Sequence, residues 1–452
     1  MTAASKHYKI SKLSKIINNF LVNLLFLSEI ILLKFPFELK KDQIDAVDEW
    51  INKKGKGSII YSTGTGKTEI AFECARRMAS LIREQNPLII FKILFLVPRI
   101  VLIEQNMQRL IKYGIKKEKI GVYYGEKKDI KEITFSTYQS IIKNFDLIRE
   151  SDMVILDEMH MVSETAKRLS KIFDVLNNYY DKFILGLTAT IDENDARYSK
   201  IMKLIPPVKK YMIKEAVSDG RLSEPQVILK PVKLNFEERR IYEQTTSTIK
   251  DISLKLKVSN PLVVSKLLKT GGQRARLAKL WFASVQKRKK LLNETNSKLN
   301  ESVNIVKNHP NEKVMIFSET IESISNISAI LKKNKIPSEV IHNKVKTKQR
   351  REILDSWGKN YFVLLSVHTL EIGFDIPSVS IAIIVSNTKN IHQLIQRIGR
   401  VIRKTEEKNQ SLIYVVYVDD TKDKDIINLV RTSVQNTHTK KPINQDKISS
   451  YF

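Results

Sequence analysis

The glycine-rich stretch Ser62–Thr68, which reads STGTGKT, constrains this chain more than any other. Residues 58–61 before it have the apolar character of a strand, and residues 69–79 after it have helical spacing. A loop of this kind between a strand and a helix is the context in which backbone N–H groups hold phosphate oxygens. The strict eight-residue pattern begins with glycine, where this chain has Tyr61. Strand, loop and helix together still predict a nucleotide phosphate site.

The residue types of this loop predict separate roles. Gly64 and Gly66, with Thr65 between them, allow the backbone to turn its N–H groups toward phosphate at a helix N-terminus. Lys67 adds a cation for the outer phosphates, and Thr68 offers a hydroxyl to a magnesium ion. The loop is therefore expected to bind a nucleotide together with Mg²⁺.

Gln43, upstream of the loop, begins a predicted helix. Its side-chain amide carries a donor and an acceptor that match the edge of adenine, and a preceding aromatic residue can stack on a base. By itself the stretch 35–43 is only a helix start with a polar first turn. Together with the phosphate loop, it makes Gln43 a candidate adenine contact.

Length and charge set broad limits on fold and partner. The 452 residues suffice for about two to three domains, each with its own core. Lys and Arg number 77 against 49 Asp and Glu, which gives a net charge of +28. Such an excess predicts a polyanionic partner, most directly nucleic acid, and the alternative is a surface charged for solubility alone.

Two features bear on the compartment. The single cysteine, Cys74, excludes an internal disulfide and a cysteine-based zinc site, and indicates a reducing, intracellular setting in the cytoplasm or nucleoid. Residues 1–34 form a leader in which lysines precede an apolar stretch, as in a signal peptide or membrane anchor. Polar residues interrupt that stretch, so its runs fall short of the roughly 20 residues that span a bilayer. We favour a packing helix or a misassigned start over membrane targeting.

Short apolar runs alternate with helical patterns along most of the chain. The first set of runs comprises 93–97, 133–136, 153–156 and 183–187, with helical segments such as 99–110 and 166–177 between them. A second set lies near 314–317, 339–342, 362–365, 380–385 and 412–417. This alternation is typical of parallel α/β sheets, so the predicted fold class is α/β.

The sequence Asp157-Glu158-Met159-His160 follows the apolar run 153–156 directly. A carboxylate at the carboxyl end of a strand can hold magnesium, and the adjacent one can orient and deprotonate an attacking water. His160 would relay the nucleotide state to the rest of the protein. An Asp-Glu pair is often only a solvated turn, but its place after a buried strand favours the catalytic interpretation.

These motifs, in this order, resemble those of superfamily 2 helicases of the DExH type. The matches to the first motor domain are Gln43, STGTGKT, VPRIVLIEQ (97–105), STYQS (136–140), DEMH (157–160) and TAT (188–190). The matches to the second are MIFSET (315–320), VHTLEIGFDIP (367–377) and QRIGRVIR (396–403). The resemblance implies two tandem RecA-like P-loop NTPase domains with a site for ATP and Mg²⁺ between them, and thus an ATP hydrolase.

The resemblance also assigns roles to the ATP-site residues. Lys67 and Thr68 would bind phosphate and magnesium, Asp157 would coordinate magnesium, and Glu158 would be the catalytic base. The residues implied in the second domain are Gln396, Arg400 and Arg403 over the γ-phosphate, with both arginines as arginine fingers, and Gly373 and Asp375 in the same cleft. A finger from the second domain would make hydrolysis depend on domain closure.

A further set of residues falls in motifs that, in this family, track along the phosphates of a nucleic-acid strand. These residues are Arg99, Gln105, Gly125, Thr137 and, in the second domain, Thr369. Contacts of this kind position the strand without reading its sequence.

Within the superfamily, the strings IEQ, LTAT, REIL and EIGFDIP resemble XPB-type DNA repair helicases, especially the compact archaeal form. That resemblance implies DNA, single-stranded or forked, as substrate, 3′–5′ polarity, a role in repair or replication, and possible use of a nuclease partner. Two features depart from it. Residues 193–195 read Glu-Asn-Asp where the family has Arg-Glu-Asp, and we expect no N-terminal damage-recognition domain unless the leader at 1–34 is a remnant of it. RNA-stimulated hydrolysis, a restriction motor subunit and a nucleotide-switched scaffold are the alternatives.

Residues 230–300 carry 17 Lys and Arg against 5 Asp and Glu. Helical spacing predicts a small basic helical insert, placed where the XPB family has its thumb-like element, and a duplex-gripping role follows from its charge. The alternative is a solvated helical spacer.

The chain ends in Gln445-Asp446-Lys447-Ile448-Ser449-Ser450-Tyr451-Phe452. This matches the sliding-clamp binding motif known as the PIP box, with Gln445, Ile448, Tyr451 and Phe452 at its four defining positions. Apolar side chains on one side of a helical turn would fill an apolar pocket of a clamp such as PCNA. The alternative is a chance match to a degenerate motif.

The predicted domain order follows from these motifs. It comprises a leader at 1–34, a first RecA-like domain at 35–208, the basic insert and linker at 209–302, a second RecA-like domain at 303–435, and a tail at 436–452.

Overall fold

A computed structural model describes residues 28–163, 168–179, 181–189, 191, 196–342, 344–367, 379–386, 411–428 and 430. Within these residues the chain divides into two compact units, with the boundary between Met212 and Ile213. In this described part, every helix is too short or too polar to cross a lipid bilayer.

The first unit is built on an eight-stranded sheet. Its strands are β1 (Lys56–Tyr61), β2 (Ile93–Val97), β3 (Ile120–Tyr124), β4 (Lys127–Asp129), β5 (Ile133–Thr137), β6 (Met153–Asp157), β7 (Phe183–Thr188) and β8 (Pro207–Tyr211). Their spatial order is β4-β3-β5-β2-β6-β7-β1-β8, and every pair is parallel except the hairpin of β3 and β4. The four strands predicted between residues 91 and 190 are confirmed, at 93–97, 133–137, 153–157 and 183–188.

Helices cover this sheet and connect its strands. They are α1 (Lys41–Asn52), α2 (Lys67–Gln85), α3 (Ile100–Lys112), α4 (Tyr138–Ile141), α5 (Asp146–Glu150), α6 (Lys171–Asn177) and α7 (Ser199–Leu204). Every residue of β2, β5 and β6 is buried, as expected for strands with helices on both faces. Short 3₁₀ turns lie at Glu29–Leu32, Lys117–Lys119, Met159–Met161 and Ala196–Tyr198.

The second unit contains a six-stranded, fully parallel sheet. Its strands are β9 (Pro225–Val232), β10 (Val314–Ser318), β11 (Ser338–Ile341), β12 (Val363–Val367), β13 (Ile381–Ile384) and β14 (Ser411–Val418), in the spatial order β11-β12-β10-β13-β14-β9. The helices are α8 (Ile213–Ser218), α9 (Phe236–Leu256), α10 (Pro261–Leu267), α11 (Gly272–Glu294), α12 (Asn296–Lys307), α13 (Ile321–Lys333) and α14 (Thr347–Ser356), with a 3₁₀ turn at Lys422–Asp425. The five strands predicted from 314 to 417 are all found.

The helical insert is shorter than the predicted range 209–302. Residues 207–211 form β8 of the first sheet, and residues 225–232 form β9, which pairs with β14 over its whole length. The sequence gives no clear strand signal here because it contains Pro225 and Pro231. Proline removes a backbone donor and is tolerated mainly on edge strands, and β9 is an edge strand. The insert proper is therefore α9, α10 and α11, which pack around the buried Trp281.

Candidate nucleotide and nucleic-acid site

The phosphate loop connects the end of β1 to the start of α2. Gly64 and Gly66 both adopt positive φ, at 88° and 87°, and Gly66 is the N-cap residue of this 19-residue helix. The positive φ of Gly66 favours glycine, and a Cβ atom there would lie 2.2 Å from Nε2 of Gln43 and displace that amide. The helix N-terminus and its free N–H groups favour an anion at this point.

Polar contacts within the loop hold its shape. The Lys67 ammonium donates to the carbonyl oxygens of Tyr61 and Ser62, at 3.0 and 3.4 Å. Gln43 is buried, and its Nε2 donates to the Thr65 carbonyl at 3.1 Å, while its Oε1 accepts from the Lys40 N–H at 2.9 Å. The Gln43 amide therefore joins the start of α1 to the phosphate loop, and its contact with adenine stays a prediction.

The carboxylates of Asp157 and Glu158 lie at the carboxyl end of β6. Asp157 is 8% exposed, and its carbonyl oxygen accepts from the Tyr138 hydroxyl at 2.6 Å. Burial raises the pKa of the Asp157 carboxyl, the Glu158 charge raises it further, and the Lys67 ammonium opposes both. Because the Lys67 charge acts on Asp157, the fold brings the two motifs into one site.

Glu158 turns the chain out of the strand in a left-handed conformation, with φ of 52°. Non-glycine residues adopt this region rarely, and such residues cluster at functional sites. A Glu158 carboxylate oxygen lies 3.3 Å from His160 Nδ1, and the same ring nitrogen lies 3.0 Å from the Thr188 hydroxyl at the end of β7. His160 thus connects the two residues, which gives the predicted relay a physical path.

The carboxyl edge of the first sheet separates the two classes of predicted residues. The ATP-site candidates follow β1 and β6, and β7 lies between these two strands. The nucleic-acid candidates lie at three neighbouring strands in the order β3-β5-β2: Gly125 follows β3, Thr137 ends β5 and Arg99 follows β2. Carboxyl edges of parallel sheets are the usual location of ligands in this class of fold.

The four nucleic-acid candidates of this unit differ in accessibility. Arg99 and Gly125 are exposed and Gln105 is half-buried. Thr137 is 6% exposed, and its hydroxyl caps α4 through the Ser140 N–H at 3.2 Å. Thr137 therefore has a structural role already. Its contact with a nucleic-acid strand stays a prediction.

The sequence analysis missed a cluster beside the loop, formed by Glu69, Arg109 and Tyr113. The Glu69 carboxylate accepts from the Tyr113 hydroxyl at 3.2 Å and pairs with Arg109 at 3.4 Å. Burial raises the pKa of Tyr113 to about 12. Since the partners are separated by 40 or more residues, no local pattern in the sequence signals their contact.

Some predicted residues lie outside the described part of the chain. They are Thr369, Gly373, Asp375, Gln396, Arg400, Arg403, Gln445, Ile448, Tyr451 and Phe452.

Two family models match the chain. Residues 36–193 match the model described as type III restriction enzyme, res subunit, and residues 296–405 match the helicase conserved C-terminal domain. These two matches fall one on each unit and include both the phosphate loop and the segment with Arg400 and Arg403.

Similar proteins include two with XPB names. The chain is 28% identical over 393 residues to the DNA 3′-5′ translocase XPB2 of Sulfurisphaera tokodaii, covering 85% of this chain and 83% of that protein. It is 22% identical over 384 residues to the DNA 3′-5′ helicase XPB of Mycobacterium tuberculosis, covering 82% of this chain and 59% of that longer protein. Among solved structures, the Hef helicase domain of Pyrococcus furiosus superposes with a TM-score of 0.58 at 16% identity, covering 87% of this chain and all of that one.

Two RecA-like domains, a phosphate loop and an Asp-Glu-x-His motif define an ATP-dependent helicase of superfamily 2, and hence a hydrolase. Within that superfamily the chain is similar to helicases and translocases that carry XPB names.

Proposed function

We propose that this protein is an ATP-dependent DNA helicase or translocase with 3′–5′ polarity that acts in DNA repair or replication inside the cell. The observation that carries the proposal is that one sheet edge holds two groups of residues. The ATP-site residues follow β1 and β6, and the exposed Arg99 and Gly125 follow β2 and β3. The names of the relatives support DNA as the polymer.

In this proposal, each ATP-site residue has a distinct task. Lys67 binds the outer phosphates, and Glu158 orients and deprotonates the attacking water, with His160 holding its carboxylate. Gln396, Arg400 and Arg403 stabilise the charge that develops on the γ-phosphate, and Gly373 and Asp375 link that motif to the nucleic acid. ATP binding then closes the domains and hydrolysis reopens them, which shifts the grip on one strand.

The residues at the head of α2 and the end of β6 suit a magnesium ion. The Thr68 hydroxyl and the Asp157 carboxylate supply hard oxygen ligands, which magnesium prefers, and the rise in the Asp157 pKa would be reversed by a nearby cation. When bound, the ion would neutralise charge on the β- and γ-phosphates.

The insert supplies a second nucleic-acid surface. Arg276, Lys279 and Lys287 are exposed along one side of α11, at three- and four-residue spacing with the small Ala283 between them. We call these three cations the basic face of α11. No acidic side chain pairs with them within the described residues, so the basic face is available to neutralise phosphates.

Steady-state ATP hydrolysis with single-stranded, forked and duplex DNA and with RNA tests this function. We expect strong stimulation by DNA, and a fall in DNA affinity of about a thousandfold between about 50 and 200 mM salt, because each phosphate contact releases counterions. Replacing Arg276, Lys279 and Lys287 together by glutamine should lower the slope of log affinity against log salt by about three units.

Three of the alternatives, an RNA-stimulated ATPase, a nucleotide-switched scaffold and a spacer role for the insert, give different results in these measurements. Equal or stronger stimulation by RNA would move the assignment to an RNA-stimulated ATPase. Negligible turnover with every polymer, but nucleotide-dependent partner binding, would indicate a nucleotide-switched scaffold. An unchanged salt slope in the triple variant would leave the insert as a spacer.

The C-terminal peptide supports a further element of the proposal, namely tethering to a sliding clamp through Gln445, Ile448, Tyr451 and Phe452. Deleting residues 445–452 should abolish clamp binding, measured by calorimetry with purified clamp, and leave DNA-stimulated hydrolysis unchanged. Unchanged clamp affinity after the deletion would refute the tether. A nuclease partner stays a prediction from the resemblance.

A further inference from the structure

The returning arm of the helical insert contacts the second sheet at Glu319, the residue that follows β10. Helix α11 carries the basic face and runs back toward the sheet, where α12 follows it after the buried Thr295. The Thr295 hydroxyl donates to the Glu238 carboxylate at 2.9 Å, which fixes this turn to the first turn of α9. The insert is therefore firmly attached at its base.

Glu319, which directly follows β10, contacts helix α11. Its carboxylate forms an ion pair with Lys289 of α11, and only 9% of the Glu319 side chain is exposed. Its backbone N–H donates to the Ser386 hydroxyl at 2.6 Å, and that hydroxyl lies 3.2 Å from the Ser318 hydroxyl. Ser318 and Ser386 are fully buried at the ends of β10 and β13.

Lys298 of α12 makes a second contact, with Val385, the residue before Ser386. Its ammonium is completely buried and donates to the Val385 carbonyl at 2.7 Å. The two residues that follow β13 are thus both bonded from outside the strand, Val385 by Lys298 of α12 and Ser386 by Glu319, which α11 holds through Lys289.

The position of Val385 and Ser386 gives these contacts a consequence for catalysis. They precede in sequence the segment 387–410, which contains Gln396, Arg400 and Arg403 and lies outside the described residues. At the other end of the path, Arg276 and Lys289 are separated by about 20 Å of continuous helix, at about 1.5 Å per residue. Helix α11 runs without interruption between these two residues.

We propose that Lys289 and Glu319 are positioning residues that couple DNA binding on the insert to the strand end that leads into the arginine-finger motif. The inference rests on the proposed function. Neither residue touches ATP or DNA in this scheme. Their ion pair fixes Ser386 relative to α11, so polymer bound at the basic face biases the catalytic segment through Glu319.

A charge exchange tests this coupling in the full-length protein. Lys289→Glu and Glu319→Lys should each lower kcat at saturating DNA by about five- to tenfold, within the range of measured couplings, while the Kd for DNA and the hydrolysis rate without DNA stay within about twofold. The double variant, which restores an opposite pair with reversed polarity, should recover most of the stimulation. A role confined to folding would not produce this split between kcat and Kd.

The neighbouring residue supplies the matched control. Lys290 of the same helix pairs with Glu322 at 2.8 Å, and both side chains are more than half exposed, at 59% and 57%. Glu322→Gln should therefore leave stimulation unchanged. Glu319→Gln, which keeps size and the backbone bond to Ser386, is a milder variant and should lose stimulation without unfolding, as checked by circular dichroism.

The outcomes separate this inference from the proposed function. Wild-type protein that DNA does not stimulate would refute the proposed function itself. Stimulated wild-type protein, combined with single variants that keep full stimulation or a double variant that recovers none, would refute the coupling alone.

Discussion

Glu158→Gln is expected to bind ATP with nearly wild-type affinity and to hydrolyse it about a hundredfold to ten-thousandfold more slowly, the usual contribution of a general base. The substitution keeps the size of the side chain and its reach toward His160 Nδ1, 3.3 Å away. It removes the basic oxygen that would accept a proton from water. Since the proposed function assigns magnesium to Asp157 and not to Glu158, phosphate and magnesium binding should persist.

The measurement is single-turnover hydrolysis with a fluorescent nucleotide titration on the same preparation. Glu84→Gln is a suitable control, because Glu84 is an exposed acid on α2, the helix that begins at the phosphate loop. Its rate should match the wild type. If Glu158→Gln hydrolyses ATP at the normal rate, another group is the base, and the role assigned to the Asp-Glu pair is wrong.

The sequence predicted most of both sheets because buried parallel strands are continuous apolar runs. Residues 93–97 and 153–157 are buried at every position, as in a strand that has helices on both faces of its sheet. Edge strands carry a weaker signal. Strand β9 lies at a sheet edge with proline at 225 and 231, so the sequence predicts insert and linker there, although the strand pairs with all of β14.

In the candidate site, contiguous motifs could be predicted from the sequence, whereas contacts between residues distant in sequence could not. The phosphate loop and the Asp-Glu pair are contiguous motifs whose residue types carry their chemistry, so they could be identified from sequence. Contacts such as Tyr138 to the Asp157 carbonyl or Glu319 to Ser386 join residues from different motifs. They depend on the strand order β5-β2-β6 and β10-β13, which is known only once the sheets are assembled.

Lys298→Met is expected to have the largest effect on stability, about 3–5 kcal/mol of local unfolding free energy in the second unit, the range found when one partner of a buried ion pair is removed. Lys298 is fully buried, and its ammonium lies 2.5 Å from an oxygen of Asp423, whose side chain is 2% exposed. Methionine fills similar space but removes the cation, and among the described residues the Val418 N–H, at 2.8 Å, is then the donor left to the Asp423 carboxylate.

Hydrogen exchange is the appropriate measurement, since two-domain proteins need not unfold in one step. In Lys298→Met, amides of β13 and β14 should exchange faster by a factor that corresponds to this loss, while amides of β6 in the first unit serve as an internal reference. Lys230→Met is the matched control, because Lys230 pairs with Glu301 at 3.8 Å with its side chain 39% exposed, and such surface pairs contribute less than about 1 kcal/mol.

A double variant separates the lost ion pair from lost packing. Lys298→Met combined with Asp423→Asn removes both charges, and it should recover much of the stability because no unpaired charge is left in the interior. Recovery would show that the charge on Asp423, rather than the shape of the lysine, causes the loss. If both variants exchange equally fast, the bond from Lys298 to the Val385 carbonyl is the dominant contribution of the lysine.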